Sequence, residues 1–250
     1  MVYRDLKQFL AKLKEVGELQ EMDVEVDPSW EVTPVLREVL DKEGPALLFN
    51  KVGKWRTPLA VGVFGSLRRY AIALDMPLSI PLIFERWKKA LSNPIKPILV
   101  DGRSAPCKEI KLFGDQIDLY ADPFPVPLWH ELDSNPYLGT LHGVITKDPE
   151  TGWVNIGAYR NEIKGKNILG QMAVPYRHIG LHLEKWRALG KPMPIAIGLS
   201  LDPYLTMVSV TAIPAQVNEY DVAGGLKGEP IEVTRAETSD LPVPAHAQIV

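Results

Sequence analysis

The chain has 250 residues, of which 46% are hydrophobic and 24% charged, and its formal net charge is −3 at pH 7. This slightly acidic balance argues against a nucleic-acid-binding protein, which would carry a concentrated basic face. The single cysteine, Cys107, cannot form an internal disulfide. Neither a signal peptide nor an apolar run of membrane-spanning length is present in the sequence. We therefore predict a cytoplasmic globular protein with no membrane span.

The first part of the chain alternates helical and strand patterns. Apolar residues recur at helical spacing over 5–16, and a second helix is predicted to begin at Thr33-Pro34, a good N-cap and first helical residue. Further helices are predicted near 66–75 and 79–92. The predicted strands are "EMDVEVD", "PALLFNKV" and "TPLAVGVFG". We assign residues 1–95 to an N-terminal α/β segment.

From about residue 95 the pattern changes to short strands separated by turns rich in proline and glycine. The predicted strands are "KPILVDG", "EIKLFGD", "GVITKD", "WVNIGAYR", "PIAIGLS", "TMVSVTAIP" and "IEVTRAE". One long helix is predicted from Arg177 to Leu189, and "ADPFPVPLWHELDSNPY" and "DVAGGLKGEP" are interpreted as loops. Many short strands predict a split, barrel-like β domain over 96–250, and the fold class is α+β.

The last ten residues, "LPVPAHAQIV", read as a buried strand that stops half-built. Such an end would expose apolar surface and an unpaired backbone edge. The pattern predicts that the chain is a fragment or a subunit of something larger. It also predicts association through the open strand at 247–250.

The stretch "WVNIGAYRNEIKGKNIL", residues 153–169, places an Asn inside an apolar strand and an Arg at its end. Desolvating these groups is costly unless a partner is present, which suggests a ligand. Asn155, His178 and Glu219 would suit Mn²⁺ or Mg²⁺ better than structural zinc. Taken singly, each is explained better by a helix cap or a core residue, and nothing local in the sequence brings the three together.

Two other patterns near this stretch could indicate a metal site or a phosphate site. His178 and His182 share a helix face, but "HIGLH" lacks the Glu that a zinc metalloprotease needs beside its first His, so that interpretation is rejected. The turn Lys164-Gly165-Lys166 is either a phosphate-binding loop or a solvated basic turn, and the sequence favours neither.

The segment "SNPYLGTLHGVITKDPETGWVNIGAYR" resembles the UbiD family of reversible decarboxylases, which includes the decarboxylase of ubiquinone biosynthesis and ferulic acid decarboxylases. The resemblance continues through "GKNILGQM", "RHIG", "SVTAIPAQVNEYDVAGGLKGEP" and "TSDLPVPAHAQIV". It covers this chain and about the first half of a family member. It implies prenylated FMN, Mn²⁺ or Mg²⁺, and K⁺ as a further ion. It also implies a flavin prenyltransferase as cofactor supplier and a homo-oligomer at full length.

By position, the resemblance implies that Asn155, His178 and Glu219 bind the divalent metal and that Arg160 orients the substrate carboxylate. The implied cofactor contacts are Thr140, Asn155, Ile156, Gly157, Ala158, Tyr159, Arg160, Met172, Ala173, Val174, Arg177, His178 and Glu219. The implied potassium ligands, largely through backbone carbonyls, are Val208, Ser209 and Thr211.

The activity that the resemblance implies is reversible non-oxidative decarboxylation of an aromatic or α,β-unsaturated carboxylic acid. The family's catalytic Glu or Asp and its C-terminal domain would lie beyond Val250. The acids near the end of this chain are interpreted as solvated surface groups, so residues 1–250 alone are expected to be inactive. The alternative is a non-catalytic flavin- and metal-binding subunit whose partner chain supplies the acid.

Overall fold

A computed structural model describes residues 2–121 and 123–250. The helices are α1 Leu6–Glu15, α2 Val32–Asp41, α3 Leu67–Ala73, α4 Ile80–Ser92, α5 His178–Ala188, α6 Pro203–Ser209 and α7 Glu219–Lys227. The strands are β1 Leu19–Val26, β2 Ala46–Val52, β3 Leu59–Val61, β4 Ile98–Leu99, β5 Tyr137–Gly139, β6 Gly143–Lys147, β7 Val154–Gly157, β8 Asn161–Gly165, β9 Ile168–Gln171, β10 Ala196–Gly198, β11 Glu232–Arg235 and β12 Pro242–Pro244. No described helix is both long and apolar enough to cross a membrane.

The N-terminal helices and strands follow the sequence prediction closely. β1 pairs with β2 in parallel and β2 with β3 antiparallel, and α1 to α4 lie within two residues of their predicted positions at most termini. The start predicted for α2 is wrong by two residues, because Glu31 rather than Thr33 is its N-cap residue. The Glu31 side chain accepts a hydrogen bond from the Asp27 N–H, which fixes the chain just before the helix.

A buried arginine ties α3 to the N-terminal sheet. Arg69 is 1% exposed, and its guanidinium donates to the carbonyls of Gly62 and Gly44 and to the carboxylate of Glu18, at 3.1, 2.9 and 3.0 Å. A buried charge of this kind is tolerated only when it is paired and hydrogen-bonded. Removing the guanidinium would leave Glu18 without this partner and would destabilise this half of the chain.

The strands after residue 95 form three further three-stranded sheets rather than a closed barrel within the part of the chain described. Their orders are β10-β6-β7, β12-β11-β4 and β5-β8-β9. One hydrophobic cluster joins both parts of the chain, and the rings of Tyr3 and Tyr204 lie 6.4 Å apart within it. The mixed helix and sheet content agrees with the α+β class.

The strand predicted at "TMVSVTAIP" is wrong, since this segment contributes to helix α6. Asp202 caps the helix through its carboxylate, which accepts from the N–H groups of Tyr204 and Leu205 at 2.9 and 3.0 Å, and Pro203 occupies the first turn. All seven residues of α6 are buried. A helix buried on every side carries no amphipathic pattern, and its β-branched residues imitate a strand.

The loop predicted at "DVAGGLKGEP" is also wrong, because most of it is helix α7. A Cβ at Gly224 would lie 2.4 Å from the carbonyl oxygen of Ile95, and one at Gly225 would lie 2.8 Å from that of Ala90. The two glycines therefore let α7 pack directly on the end of α4. The helix ends at Gly228, whose φ of 87° is the left-handed conformation that favours glycine.

The remaining predictions for this region concern one strand, one loop and one hairpin. The strand predicted at "EIKLFGD" is wrong: Gly114–Gln116 is a 3₁₀ turn, and Ile110 and Phe113 are exposed. Val126, in the loop over 121–137, is buried, and Asp122 lies outside the described residues. The hairpin of β8 and β9 was not predicted.

Asp202 makes stability depend on pH. Burial raises the pKa of this carboxyl from 3.8 to about 6, against the lowering effects of its helix-cap hydrogen bonds, Lys227 and His246. A raised pKa means that the stabilising contribution is present below the unfolded value and is lost as pH rises through the folded one. Asn caps helices as well as Asp but carries no charge.

We therefore expect Asp202→Asn to gain stability relative to the parent chain as pH rises. Urea unfolding should show the difference growing by about 2 kcal/mol between about pH 4.5 and pH 7.5. A difference that does not change with pH would show that the Asp202 carboxyl titrates alike in both states.

Candidate functional site

Three polar side chains from separate elements converge on one point. Asn155 comes from the middle of β7, His178 is the first residue of α5, and Glu219 is the first residue of α7. His178 Nδ1 lies 3.1 Å from Asn155 Oδ1 and 3.5 Å from Glu219 Oε1. Asn155 and Glu219 are 1% and 3% exposed. The structure thus brings together three residues that lie 64 positions apart at their extremes.

Helix α5 is fixed on the β6–β7 hairpin, and this sets the position of His178. His182 Nδ1 lies 2.9 Å from Thr146 Oγ1, and Lys185 Nζ lies 2.6 Å from Asp148 Oδ2. The bonds from Lys185 and from the local backbone, acting against burial, lower the pKa of Asp148 to about 2. The ring of Trp153 packs edge-on against both histidines, 4.8 and 4.7 Å between centroids.

The electrostatics of the trio favour a bound cation. Burial raises the pKa of Glu219 to about 8, although the N–H of Ile156 donates to its Oε2 at 3.4 Å. Burial and the neighbouring Arg177 lower the pKa of His178, so the imidazole is held neutral. No Lys or Arg among the described residues forms an ion pair with Glu219. A cation at this point would stabilise the carboxylate and would meet His in its ligand form.

The donor set fits a hard divalent ion. At metal–ligand distances of about 2.1 Å, neighbouring ligands of an octahedral ion lie about 3.0 Å apart. The separations of 3.1 and 3.5 Å between the three donor atoms are close to that value. In the described chain no three His, Cys, Asp or Glu side chains form a metal-binding group. Such an ion would therefore need an amide oxygen and oxygens from outside the chain.

The same point presents donors for an anion. Arg177 is the N-cap residue of helix α5, and no side chain caps the first N–H groups of that helix; the N-terminus of α7, which the Asn218 side chain caps, also lies here. The buried Nδ2 of Asn155 has no hydrogen-bond partner in the described chain. Unpaired N–H groups at helix N-termini bind phosphate well. A metal and a phosphate side by side would satisfy both the trio and these donors.

The residues after Asn155 form a tightly packed turn. The ring of Tyr159 lies on Gly157, where a Cβ would come within 2.6 Å of it, so only glycine fits. The N–H of Ala158 donates to the carbonyl of Ser209 at 2.9 Å, which joins the turn to the end of α6. Ile156, one residue before Gly157, is buried.

Arg160 is exposed at the end of this turn. Its guanidinium lies over the ring of Tyr137, 5.6 Å from the centroid, and forms no ion pair with any described residue. A guanidinium that lies over an aromatic ring and forms no ion pair keeps N–H donors available for a planar anion. The geometry therefore leaves Arg160 able to receive a carboxylate.

The other predicted cofactor contacts lie in two separate segments, one between β9 and α5 and one directly after β5. Met172 is exposed and follows β9, Ala173 and Val174 are half-buried, and exposed Arg177 stacks on Tyr176 at 5.9 Å. Thr140 lines a cavity of about 500 Å³ between α1, the N-terminal sheet and the loop around Trp129.

The predicted potassium ligands lie at the end of α6. The carbonyl of Val208 accepts from the N–H of Thr211 at 3.0 Å, and Thr211 Oγ1 donates to Met207 O at 2.8 Å. The last carbonyls of a helix carry partial negative charge, so the corrected secondary structure still offers oxygen donors here.

Two further polar features are the basic turn at 164–166 and a buried hydrogen bond. Lys164 pairs with Glu162, and Lys166 Nζ donates to the carbonyl of Asp115 at 3.3 Å, which supports a surface turn rather than a phosphate loop.

Sequence reasoning missed the hydrogen bond between buried His142 and Asn161, 2.7 Å. Recognising the β8–β9 hairpin would have placed Asn161 opposite Gln171 and revealed this polar set.

Two family models match the chain. The 3-octaprenyl-4-hydroxybenzoate carboxy-lyase N-terminal domain matches residues 10–88. The Rift-related domain of the same carboxy-lyase matches residues 98–250, more than half of the chain. The chain belongs to the UbiD family.

Solved structures of UbiD-class enzymes resemble this chain throughout. An evolved dimeric HmfF from Pelotomaculum thermopropionicum, in complex with prFMN, is 30% identical with a TM-score of 0.90, over 98% of this chain and 55% of that one. The closed form of Sedimentibacter hydroxybenzoicus vanillic acid decarboxylase is 29% identical with a TM-score of 0.93, over 99% and 54%.

A third match extends the same pattern. Apo 3,4-dihydroxybenzoic acid decarboxylase from Klebsiella pneumoniae is 28% identical with a TM-score of 0.86, over 98% of this chain and 53% of that one. This UbiD-family chain therefore spans about half the length of the solved chains that it matches.

Proposed function

We propose that the chain forms the cofactor-holding part of a prenylated-FMN-dependent decarboxylase acting on an aromatic or α,β-unsaturated carboxylic acid. The observation that carries the proposal is the convergence of Asn155, His178 and Glu219 beside an uncapped helix N-terminus. The solved UbiD-class relatives that bind prFMN or FMN support it. Residues 96–250 would be the flavin-binding, split-barrel domain, and residues 1–95 would pack against it.

The trio would hold Mn²⁺ or Mg²⁺, and the metal would share the cofactor phosphate with the N-terminus of α5. Asn155 Oδ1, His178 Nδ1 and Glu219 Oε1 supply the three protein ligands. The uncapped N–H groups of α5 and Asn155 Nδ2 would donate to the phosphate. The carbonyls at 208–209 and Thr211 would bind K⁺ close by. Each of these groups would then have a partner of opposite charge.

The modified flavin, when bound, supplies an electron sink for the carbon that loses CO₂. The protein orients the substrate: Arg160 grips the carboxylate with its guanidinium edge while its face rests on Tyr137. Tyr159, packed on Gly157, fixes the backbone that carries Arg160. This holds the bond to be broken in one orientation relative to the cofactor.

Titration of the chain with FMN tests the metal–phosphate arrangement. We expect FMN to bind at least about tenfold more tightly with saturating Mn²⁺ than with EDTA, because the ion joins the trio to the phosphate. Riboflavin has the same ring system without the phosphate, and its affinity should not respond to Mn²⁺. Flavin fluorescence measures both.

An FMN affinity that does not change with Mn²⁺ would refute the proposed site. A riboflavin affinity that rises with Mn²⁺ would refute it as well. Flavin and metal binding without decarboxylation, restored by an added partner chain, would instead favour a cofactor-holding subunit over a complete enzyme.

A further inference from the structure

A chain of polar side chains runs from the connection between β5 and β6, across β8, to the end of β9. His142 Nε2 lies 2.7 Å from Asn161 Oδ1, Asn161 Nδ2 donates to Gln171 Oε1 at 2.7 Å, and Gln171 Nε2 donates to the carbonyl of Met172 at 3.1 Å. His142 and Asn161 are 1% and 0% exposed. This chain of hydrogen bonds thus runs from the buried interior to the exposed Met172.

The direction of every hydrogen bond in this chain is fixed from its outer end. The backbone carbonyl of Met172 can only accept, so the Gln171 amide must donate to it and present its oxygen to Asn161. The Asn161 amide must therefore turn its own oxygen to His142, and Nε2 of His142 must carry the proton. The neutral ring then has a bare Nδ1, which agrees with the absence of a partner for that atom in the described chain.

The surroundings hold His142 in this form. Burial lowers the pKa of the ring, against the raising effects of Asn161 and the Tyr159 backbone, so the neutral imidazole is favoured. The ring passes over Gly139, where a Cβ would come within 2.6 Å of it. Gly139 stands opposite Asn161 in the β5–β8 pairing, so the absence of a side chain there lets His142 reach across the strand.

The hydrogen-bond chain joins the two segments that would flank the proposed cofactor. Asn161 directly follows Arg160, and Met172 begins the segment 172–174. We propose that His142, Asn161 and Gln171 act as positioning residues, a one-directional hydrogen-bond chain that fixes Arg160 and Met172 relative to each other around the flavin. This inference rests on the proposed function, and it assigns a role to groups that contact neither metal nor substrate.

Substitution of His142 tests the chain at its buried end. Glutamine places an N–H donor near the position of Nε2, whereas leucine fills the space without a donor. With saturating Mn²⁺ we expect His142→Leu to weaken FMN binding by about tenfold and His142→Gln to stay within about threefold of the parent. Arg69→Met is the control, since Arg69 bonds to Glu18, Gly44 and Gly62 and to no member of the polar chain, and the folded variant should keep its flavin affinity.

A second measurement, made without flavin, tests the donor-to-acceptor direction of these hydrogen bonds. Ring ¹⁵N chemical shifts of the parent protein should show His142 as the neutral Nε2–H tautomer. The Nδ1–H tautomer, or a folded His142→Leu chain that binds FMN like the parent, would overturn the inference. Equal losses in His142→Leu and His142→Gln would do the same. Failure of the parent chain itself to bind FMN would overturn the proposed function, and the positioning role with it.

Discussion

Glu219→Gln should abolish retention of Mn²⁺ and of FMN together. The substitution keeps the shape of the side chain and the hydrogen bond from the Ile156 N–H, and it removes only the negative charge that faces His178 and Asn155. Partners one shell away from a metal typically contribute about 10- to 100-fold to affinity, so loss of a direct carboxylate ligand should cost at least about a hundredfold. The FMN affinity should fall to the value of the parent chain in EDTA.

The same substitution should not harm the fold. Burial raises the pKa of Glu219 to about 8, so without a metal the ionised carboxylate is a destabilising group. We expect metal-free Glu219→Gln to unfold at an equal or higher urea concentration than the metal-free parent at about pH 9. Glu229→Gln makes the identical chemical change in an exposed carboxylate that pairs with buried Lys227, and it serves as the control.

Metal analysis of the purified chains and flavin titration decide the outcome. A Glu219→Gln chain that retains Mn²⁺ and FMN at the level of Glu229→Gln would show that the trio does not bind a shared metal–phosphate group.

The fold was predictable where helices and strands have one buried face. α1 and α4 show apolar residues at helical spacing because one side of each packs on the core, and both were predicted within a residue or two. α6 and α7 were missed because seven consecutive buried residues in α6 and two packing glycines in α7 erase that spacing. The conformation there is decided by tertiary packing, which no local window contains.

The site shows the same division between local and distant information. Asn155 could be singled out because an amide inside an apolar strand requires a partner. His178 and Glu219 begin helices whose positions depend on bonds to other elements, such as those of His182 and Lys185 to the β6–β7 hairpin. The resemblance to a family grouped these three residues, whereas spacing alone left them as separate caps and core residues.

Arg160→Lys should remove most of the catalytic rate of a complete, cofactor-loaded enzyme carrying this chain, with little effect on folding or on flavin binding. Lysine preserves the charge and most of the length of the side chain, but its ammonium is a point donor that cannot engage both carboxylate oxygens in one plane. It also cannot stack its face on Tyr137, which now supports the guanidinium at 5.6 Å. Losing the fixed orientation of the carboxylate should lower turnover by at least about a hundredfold.

The kinetic form of the loss separates substrate orientation from simple attraction. If Arg160 only attracted the acid, the lysine variant would leave kcat unchanged and KM little changed, because the positive charge remains. Orientation of the breaking bond predicts that kcat itself falls. Arg187→Lys, an exposed arginine paired with Glu184 on α5, is the matched control and should behave like the parent. Near-parental kcat in Arg160→Lys would leave Arg160 as a residue that merely packs on Tyr137, and the carboxylate would have to be held by other groups.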